Sequence, residues 1–198
     1  MLKKITGIAL ASALAISSFS AQAAMVHNLT GLSGIFTTET FDTNAGDGSA
    51  ASTQFSGITF GAGNYVSNSY SGAYPNMSGS VIANFEPCCT AVTSFSFLGN
   101  LSEAAFNFVS NPQGFTFAAF LGATVVDSFT AATDYSGDFY GFTGITFDRI
   151  EITGDGTNND AYILDNLQTK STAVPEPGIL ALVGIGLAGL AAKRRRKV

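Results

Sequence analysis

The recurring alternation of apolar and polar residues constrains the fold of this chain more than any other feature. It is clearest at residues 92–97, 115–120 and 144–152, and each of these runs has a glycine two positions after its end. Successive side chains of a β-strand point to opposite faces of a sheet, so a period of two predicts strands with one buried face. The runs with this pattern are 35–41, 57–60, 81–85, 92–97, 104–109, 115–120, 124–129, 144–152 and 161–167.

The composition favours strands over helices between the two ends of the chain. Glycine is abundant, with 22 residues, whereas lysine and arginine, which favour helices, together number 9. Phenylalanine, with 17 residues, supplies most of the bulky apolar side chains for a core. We therefore predict one all-β domain at residues 24–173, an antiparallel β-sandwich of jelly-roll-like type, with a β-barrel as the alternative.

Residues 1–23 have the three parts of a secretory signal peptide. Lys3 and Lys4 precede an apolar stretch at residues 5–16, and the segment ends in Ala21-Gln22-Ala23, the small-residue pattern at which signal peptides are cut. We expect this segment to form a helix and to be removed after Ala23. The domain that follows is then exported to a compartment in which disulfides persist.

Residues 174–198 also divide into three parts. Pro175-Glu176-Pro177 cannot continue a helix, because proline fixes φ and lacks an N–H group. Residues 178–192 carry no charge and predict a transmembrane helix of about 22 Å. Five cations follow at residues 193–197 and are expected to remain in the cytoplasm. The upstream domain then faces out across the inner membrane.

The order of these three parts resembles the PEP-CTERM sorting signal of Gram-negative bacteria. The resemblance implies handling by an exosortase, an integral-membrane enzyme that cleaves near the motif at residues 174–177 and releases or transfers its substrate. It also implies a transient stay in the inner membrane, a final place at the cell surface or outside the cell, and a host that makes exopolysaccharide for a biofilm matrix. It implies no activity for residues 24–173. The residues that carry the resemblance are Pro175, Glu176, Pro177, Arg194, Arg195 and Arg196.

The exported region is strongly acidic. Residues 24–173 contain thirteen carboxylates but only two cations, Arg149 and Lys170, so their net charge is −11. Nucleic acids and anionic membrane surfaces are recognised through cations, and we therefore expect no nucleic-acid partner. The charge suits high solubility and the binding of divalent cations such as calcium. A solvated acidic surface is the alternative.

Three short segments resemble parts of secreted carbohydrate-binding-like β-sandwiches. They are residues 39–42, residues 54–60 and, in the predicted last strand, residues 162–167. In some of those sandwiches, carboxylates on an early strand and on the last strand share a structural calcium ion. The resemblance therefore implies a calcium site at Glu39, Asp42 and Asp165. The alternative is that the acidic residues form turns and bond local backbone amides, although a carboxylate inside an apolar strand, as at Asp165, needs a partner.

The two cysteines, Cys88 and Cys89, are adjacent and belong to the exported region. Neighbouring Cα atoms lie about 3.8 Å apart, closer than in an ordinary disulfide. A strained vicinal disulfide after Pro87 is one prediction, and pairing between two molecules is another. Metal binding would need further ligands, and the single histidine, His27, is expected to be a mobile surface residue near the start of the exported region.

A long polar segment at residues 63–76 contains Tyr65, Tyr70 and Tyr74. Tyrosine rings stack on the C–H faces of sugars, while asparagine and serine side chains bond to hydroxyl groups. The three tyrosines are therefore candidate glycan contacts. The alternative is that they pack down on the edge of the sandwich, and the absence of tryptophan weakens the case for a glycan platform.

No arrangement of residues in the sequence predicts catalysis. A Ser-His-Asp triad would have to use His27, and no phosphate-binding loop or zinc-ligand spacing occurs. A glycosidase could use two of Glu86, Glu103 and Glu151, but nothing singles out a pair. We expect a non-catalytic structural or adhesive protein linked to exopolysaccharide, with structural calcium as its one candidate cofactor. The alternatives are a calcium-assisted carbohydrate-binding module and, third, a glycoside-active enzyme.

Overall fold

The structure is a computed structural model of the chain. It describes residues 24–42, 46–53, 55–84 and 92–172. The predicted signal-peptide helix and the predicted transmembrane helix both lie outside these ranges. Within them, no helix has the length and apolar character needed to cross a bilayer. The described part is almost entirely β-structure, which confirms the predicted all-β class.

Short and long strands alternate irregularly along the described chain, and every strand pair is antiparallel. One short 3-10 helix, Ala51–Thr53, precedes the third strand. The strands are β1 (Ala24–Asn28), β2 (Thr37–Glu39), β3 (Ile58–Phe60), β4 (Tyr65–Ser67), β5 (Val81–Ala83), β6 (Val92–Ser110), β7 (Gln113–Leu121), β8 (Thr124–Thr133), β9 (Asp138–Gly154) and β10 (Tyr162–Ser171).

Two long strands, β6 and β9, create the two layers of the sandwich. They pair with each other along most of their length, but the register shifts between Ser96 and Leu101, where β6 bulges out. Before this shift β6 pairs with β3, and after it β6 pairs with β10. In the same way, β9 pairs first with β1 and then with β7. Each long strand therefore passes from one layer into the other, and one continuous sheet forms an antiparallel β-sandwich.

We call the layer that contains β10 the first layer and the layer that contains β7 the second layer. The first layer runs β4, β5, β10, the second half of β6, the first half of β9 and then β1, with β2 beside β10. The second layer runs β3, the first half of β6, the second half of β9, β7 and β8. In the β7–β8 turn, Gly122 has a φ of 60°, which glycine adopts without strain.

Aromatic side chains fill the space between the two layers. Phe106 and Phe108 of the first layer meet Phe117 of the second layer at ring-centroid distances of 5.8 and 5.3 Å. The ring of Tyr140 stacks on Phe117 at 5.2 Å. Contacts of this kind contribute roughly 0.5–1.5 kcal/mol each beyond the area that they bury. The alternation in the sequence thus places inward-facing rings two residues apart, as at Phe106 and Phe108 of β6 and at Phe115 and Phe117 of β7.

The outer face of the first layer is buried as well. In β10, Ile163 and Leu164 are both buried although neighbouring residues of a strand point to opposite faces. Leu164 belongs to the core between the layers, whereas Ile163 packs on the other side against Met77 and Val109. The segment around Met77 therefore acts as a lid on this face. Burial on both faces explains why β5 and β10 contain nearly continuous apolar runs.

Two local predictions differ from the structure. The runs at 92–97 and 104–109 belong to one strand, because residues 98–100 form a bulge rather than a chain reversal, and Leu98 N donates to Gly57 O at 2.8 Å. The segment predicted to be a loop contains a short strand, β4, which pairs with β5. Both differences come from tertiary pairing that the local residue pattern does not encode.

His27 is exposed at the surface, as the sequence suggested, but it belongs to a strand and has ordered neighbours. It lies in β1, opposite Tyr140 of β9, and its ring stacks on the Tyr140 ring at a centroid distance of 4.5 Å. Its Nε2 lies 3.3 Å from Asp138 Oδ2. The sequence missed β1 because its polar and apolar residues are too few to mark a strand without the neighbouring β9.

Candidate functional site

Three acidic side chains hold one polar segment, residues 68–80, against the outer face of the first layer. We call this segment the tyrosine loop. Asp165 Oδ2 accepts a hydrogen bond from Ser78 N at 3.0 Å, and Asp42 Oδ1 accepts one from Ser80 N at 3.0 Å. At the start of the loop, Asp47 Oδ1 accepts from Asn68 N at 2.8 Å. The loop is therefore fixed at both ends by carboxylates that receive backbone N–H groups.

Asp165 is fully buried in the middle of β10. The next residue, Asn166, has a φ of 50°, and the pairing register shifts here, so Asn166 N turns back and donates to Asp165 Oδ1 at 2.6 Å. Burial, with a smaller contribution from the charge of nearby Asp42, raises the pKa of Asp165 to about 7. The hydrogen bonds from Ser78 and Asn166 oppose this shift because they favour the ionised carboxylate.

A buried amide lies beside this carboxylate. Asn107 of β6 is directly paired with Asp165 in the antiparallel register, so the two side chains share the outer face of the first layer. Asn107 is fully buried, and its Nδ2 donates to Gly137 O, but its Oδ1 has no hydrogen-bond partner. A buried oxygen that receives no hydrogen bond and lies beside a buried carboxylate can accept a hydrogen bond from the protonated carboxyl group, or the two groups can bind a cation together.

The three residues of the predicted calcium site are only partly brought together. Asp165 and Asp42 accept hydrogen bonds from Ser78 N and Ser80 N, which are two residues apart in the tyrosine loop. Glu39 Oε1 instead accepts a hydrogen bond from Phe41 N at 3.0 Å. The buried Phe41 has a φ of 57°, a strained conformation for a bulky residue, which turns the chain between Glu39 and Asp42. Among the described residues, no group of three or more histidine, cysteine, aspartate or glutamate side chains could hold a metal ion.

The remaining acidic turn residues bond to local backbone groups. Asp155 Oδ1 accepts from Thr157 N at 2.9 Å and Asp155 Oδ2 from Gly114 N at 2.8 Å. The Thr157 hydroxyl, which donates to Asp155 Oδ1 at 2.6 Å, lowers the pKa of Asp155, and the two backbone hydrogen bonds act in the same direction. Asp160 Oδ1 accepts from Gly156 N at 2.8 Å. The carboxylates of this turn therefore have structural partners of the kind that acidic turn residues commonly find.

An aromatic cleft of about 140 Å³ lies beside the tyrosine loop. The rings of Tyr74 and Tyr135 stack there with a centroid distance of 5.8 Å and an interplanar angle of 11°. Tyr135 is 46% exposed, and its hydroxyl donates to Asn111 Oδ1 at 2.8 Å. The cleft thus joins exposed aromatic faces to amide and hydroxyl groups. Its lining consists of Tyr70, Tyr74, Val109, Ser110, Asn111, Tyr135, Ala161 and Ile163.

The structure places the three candidate tyrosines in two ways. Tyr70 and Tyr74 line the cleft and Tyr65 of β4 does not, but all three are partly buried and pack against the cluster around Met77. The sequence missed Tyr135, which follows β8 in a short turn and has no aromatic neighbour along the chain. Cys88 and Cys89 lie outside the described residues, so the predicted disulfide stays a prediction.

The cleft lies at the end of the sandwich opposite the point where β10 stops. Its residues Ala161 and Ile163 are at the start of β10, whereas Ser171 ends that strand. At about 3.3 Å per residue, these two points are roughly 30 Å apart. Asp134 lies next to Tyr135 in the cleft, and hydrogen bonds from Ser136 lower its pKa. One exposed carboxylate therefore lies next to Tyr135 of the cleft.

The two described carboxylates that a glycosidase could use each lie beside a cation, and both are outside the aromatic cleft. Glu103 Oε1 lies 2.7 Å from Lys170 Nζ, and Glu151 Oε1 lies 3.3 Å from Arg149 Nη2. Neither glutamate lines the aromatic cleft. Glu86 lies outside the described residues.

Comparison with known proteins identifies the C-terminal signal. The PEP-CTERM protein-sorting motif matches residues 173–196. No curated protein matches the chain.

Solved carbohydrate-binding modules give distant likenesses to the domain. One is the CBM22-1 and GH10 modules of endo-1,4-β-D-xylanase 10B from Clostridium thermocellum, complexed with xylohexaose, with 12% identity, a TM-score of 0.40 and coverage of 69% of this chain. The chain spans only 28% of that protein. Another is a family 29 carbohydrate binding module from Piromyces equi, with 14% identity, a TM-score of 0.37 and coverage of 79% of this chain and 96% of the module.

The sorting motif explains the order of the parts found in the sequence. Proteins with this signal are exported, are anchored in the membrane before processing, and are substrates of an exosortase. The described residues reach residue 172, and the matched segment begins at residue 173. The chain is therefore an exported β-sandwich protein that carries a PEP-CTERM sorting motif at residues 173–196.

Proposed function

We propose that this protein is a non-catalytic component of the cell surface or extracellular matrix and that it contacts exopolysaccharide through its aromatic cleft. The observation that carries the proposal is the stacked Tyr74–Tyr135 pair, in which Tyr135 is exposed and bonds to Asn111. Flat aromatic faces pack on the apolar faces of sugar rings, and the amide and hydroxyl groups bond to sugar hydroxyls. The cleft is shallow and suits a weak contact, which many copies in a matrix would strengthen through multivalency.

The charge around the cleft favours neutral or amino sugars over acidic ones. Asp134 directly precedes Tyr135 of the cleft, and Asp138 follows four residues after Asp134. The two cations of the domain, Arg149 and Lys170, line no part of the cleft. A uronic-acid polymer would therefore meet an anionic surface without a compensating cation, which disfavours its binding.

A calorimetric titration of the exported protein with a panel of neutral, amino and acidic oligosaccharides tests this proposal. We expect saturable binding of one neutral or amino class. The Tyr135→Ala variant should lose about tenfold in affinity, which corresponds to about 1.4 kcal/mol. The matched control is Leu29→Ala, which removes an exposed apolar side chain outside the cleft. Equal losses in both variants, or no binding to any oligosaccharide, would contradict glycan recognition at this site.

The same titration separates an adhesive component from a dedicated carbohydrate-binding module. A weak response to several neutral glycans favours the adhesive role. Tight binding of a single oligosaccharide favours the module. Hydrolysis of a polysaccharide that disappears in Glu103→Gln or Glu151→Gln would overturn both non-catalytic readings.

We also propose that Asp42 and Asp165 hold a structural calcium ion, with Asn107 as a neutral oxygen ligand. The support is the unpartnered buried Oδ1 of Asn107 beside two carboxylates that approach one loop segment. Calcium bound there would neutralise Asp165 and stiffen the tyrosine loop. Chelation should then lower the melting temperature of the exported protein, and Asp165→Asn should abolish that response. An unchanged melting temperature on chelation would remove the calcium site.

A further inference from the structure

Three structural elements meet where β10 leaves the domain. Ser171 of β10 pairs with Leu101 of β6, and Leu101 also pairs with Phe147 of β9. The next residue of β9, Asp148, accepts a hydrogen bond from Gly122 N in the β7–β8 turn at 3.0 Å. The bulge of β6, the β7–β8 turn and the last residue of β10 therefore share one end of the sandwich, which we call the tail end.

The tail end carries the most exposed large apolar side chains of the described residues. Ile35 is 92% exposed and Leu98 is 90% exposed. Leu98 lines a cleft of about 250 Å³ together with Thr37 and Ser171, and Ile35 lies two residues before Thr37. At the β7–β8 turn, Leu121 is a further exposed apolar residue. Apolar side chains gathered at one exposed end mark an interaction surface.

The chain beyond the domain determines what this end faces. Only residues 172–177 separate Ser171 from the uncharged segment at residues 178–192. Six residues span at most about 20 Å even when fully extended. In the anchored precursor, the tail end is therefore held next to the bilayer at an effective concentration on the order of millimolar, so weak contacts suffice to dock it.

The charges of the domain favour the same orientation. Both cations lie at or near the tail end, because Lys170 precedes Ser171 and Arg149 follows Asp148. Lys170 and Arg149 each pair with a glutamate, at 2.7 and 3.3 Å. The opposite end carries carboxylates that have no cation beside them in the described structure, at Asp134, Asp155 and Asp160. An anionic lipid surface repels that opposite end more strongly than it repels the tail end.

We propose that the tail end docks on the outer surface of the inner membrane while the precursor is anchored, with Ile35, Leu98 and Leu121 entering the lipid headgroup region. Exposed apolar side chains on short bulges and turns enter an interface in this way. The docked domain stands upright on the bilayer, with its aromatic cleft roughly 30 Å above the membrane contact. The proposal concerns lipid as the partner and does not depend on glycan binding.

Fluorescence of single-tryptophan variants tests this docking, because the chain has no tryptophan of its own. Leu98→Trp and the matched control Leu29→Trp are placed in the full chain and reconstituted in phosphatidylethanolamine–phosphatidylglycerol vesicles that contain brominated lipid. Leu29 is also well exposed, at 68%, but lies about 20 Å along the first layer from Leu101. We expect a blue shift and quenching for Leu98→Trp and neither for Leu29→Trp. No quenching of Leu98→Trp would overturn the proposal.

Further experiments distinguish docking on lipid from proximity that the short tether imposes and from binding to the exosortase. Inserting about ten flexible residues after Thr172 should leave most of the quenching of Leu98→Trp, and its disappearance would show that the tether alone held this end near lipid. Adding Ile35→Asp should reduce the quenching, whereas Ile35→Leu should not. Quenching or a blue shift that appears only after exosortase is added to the vesicles would make the enzyme the partner and overturn the lipid proposal.

Discussion

Replacing Asp165 with asparagine removes a group that titrates in the folded protein near neutral pH. Burial raises the pKa of Asp165 from its usual 3.8 to about 7, so folding takes up a proton at this site. The stabilisation from that proton is complete below pH 3.8 and is lost as the pH rises through about 7. Above that pH, the folded protein without calcium contains a buried negative charge next to Asp42.

The size of the effect follows from the two pKa values. One pKa unit corresponds to 1.36 kcal/mol, so ionisation of Asp165 should lower the free energy of unfolding by roughly 2–3 kcal/mol between pH 5 and pH 9. Asparagine does not ionise, and Asp165→Asn should lack this part of the pH dependence. The variant loses one acceptor for the N–H groups of Ser78 and Asn166, at a pH-independent cost of about 1 kcal/mol.

Urea denaturation of both proteins at several pH values, in buffer that contains a chelator, measures this difference. The free energies of unfolding should converge, or cross, as the pH rises from 5 to 9. Parallel pH profiles for the wild type and Asp165→Asn would refute the assignment of the buried titrating group. Calcium should restore the stability of the wild type at high pH and leave the variant unchanged.

Three further predictions concern the fold and the sorting signal. Gly141→Ala should destabilise the domain by roughly 2–3 kcal/mol, because its Cβ would lie 2.0 Å from Ala104 O, whereas Gly99→Ala, which meets no atom within 4 Å, should be nearly neutral in the same urea titration. Tyr162→Phe should cost about 1–2 kcal/mol by thermal denaturation, because the buried hydroxyl donates to Asn64 Oδ1 at 2.7 Å. Glu176→Gln should make unprocessed precursor accumulate in the inner membrane on immunoblots, and normal release would contradict a sorting role for the motif.

The strands were predictable where their own residues alternate. Phe115 and Phe117 mark one face of β7, and both are buried in the core. By contrast, the bulge at residues 98–100 resembles a turn in sequence, since Gly99 and Asn100 are turn formers. It continues the strand because β9 pairs with β6 on both sides of it. Local pattern thus predicts strand positions but not where a strand bends between layers.

The candidate site was predictable only through its most unusual residues. Asp165 was conspicuous as a carboxylate in an apolar strand, and it proved to be buried with backbone donors from the tyrosine loop. Tyr135 carried no such signal, because it reaches Tyr74 through the packing of two distant turns. The unpartnered Asn107 was equally hidden, since its role depends on the register between β6 and β10.

Chemical-shift mapping by NMR tests recognition of polysaccharide at the aromatic cleft most directly. The exported protein, labelled with nitrogen-15, is titrated with the oligosaccharide class that binds best in calorimetry. We predict that the largest backbone shifts occur at Tyr74, Asn111 and Tyr135, and that Leu98 and Ile35 at the tail end do not respond. Shifts confined to any other surface, or none at saturating oligosaccharide, would contradict this assignment.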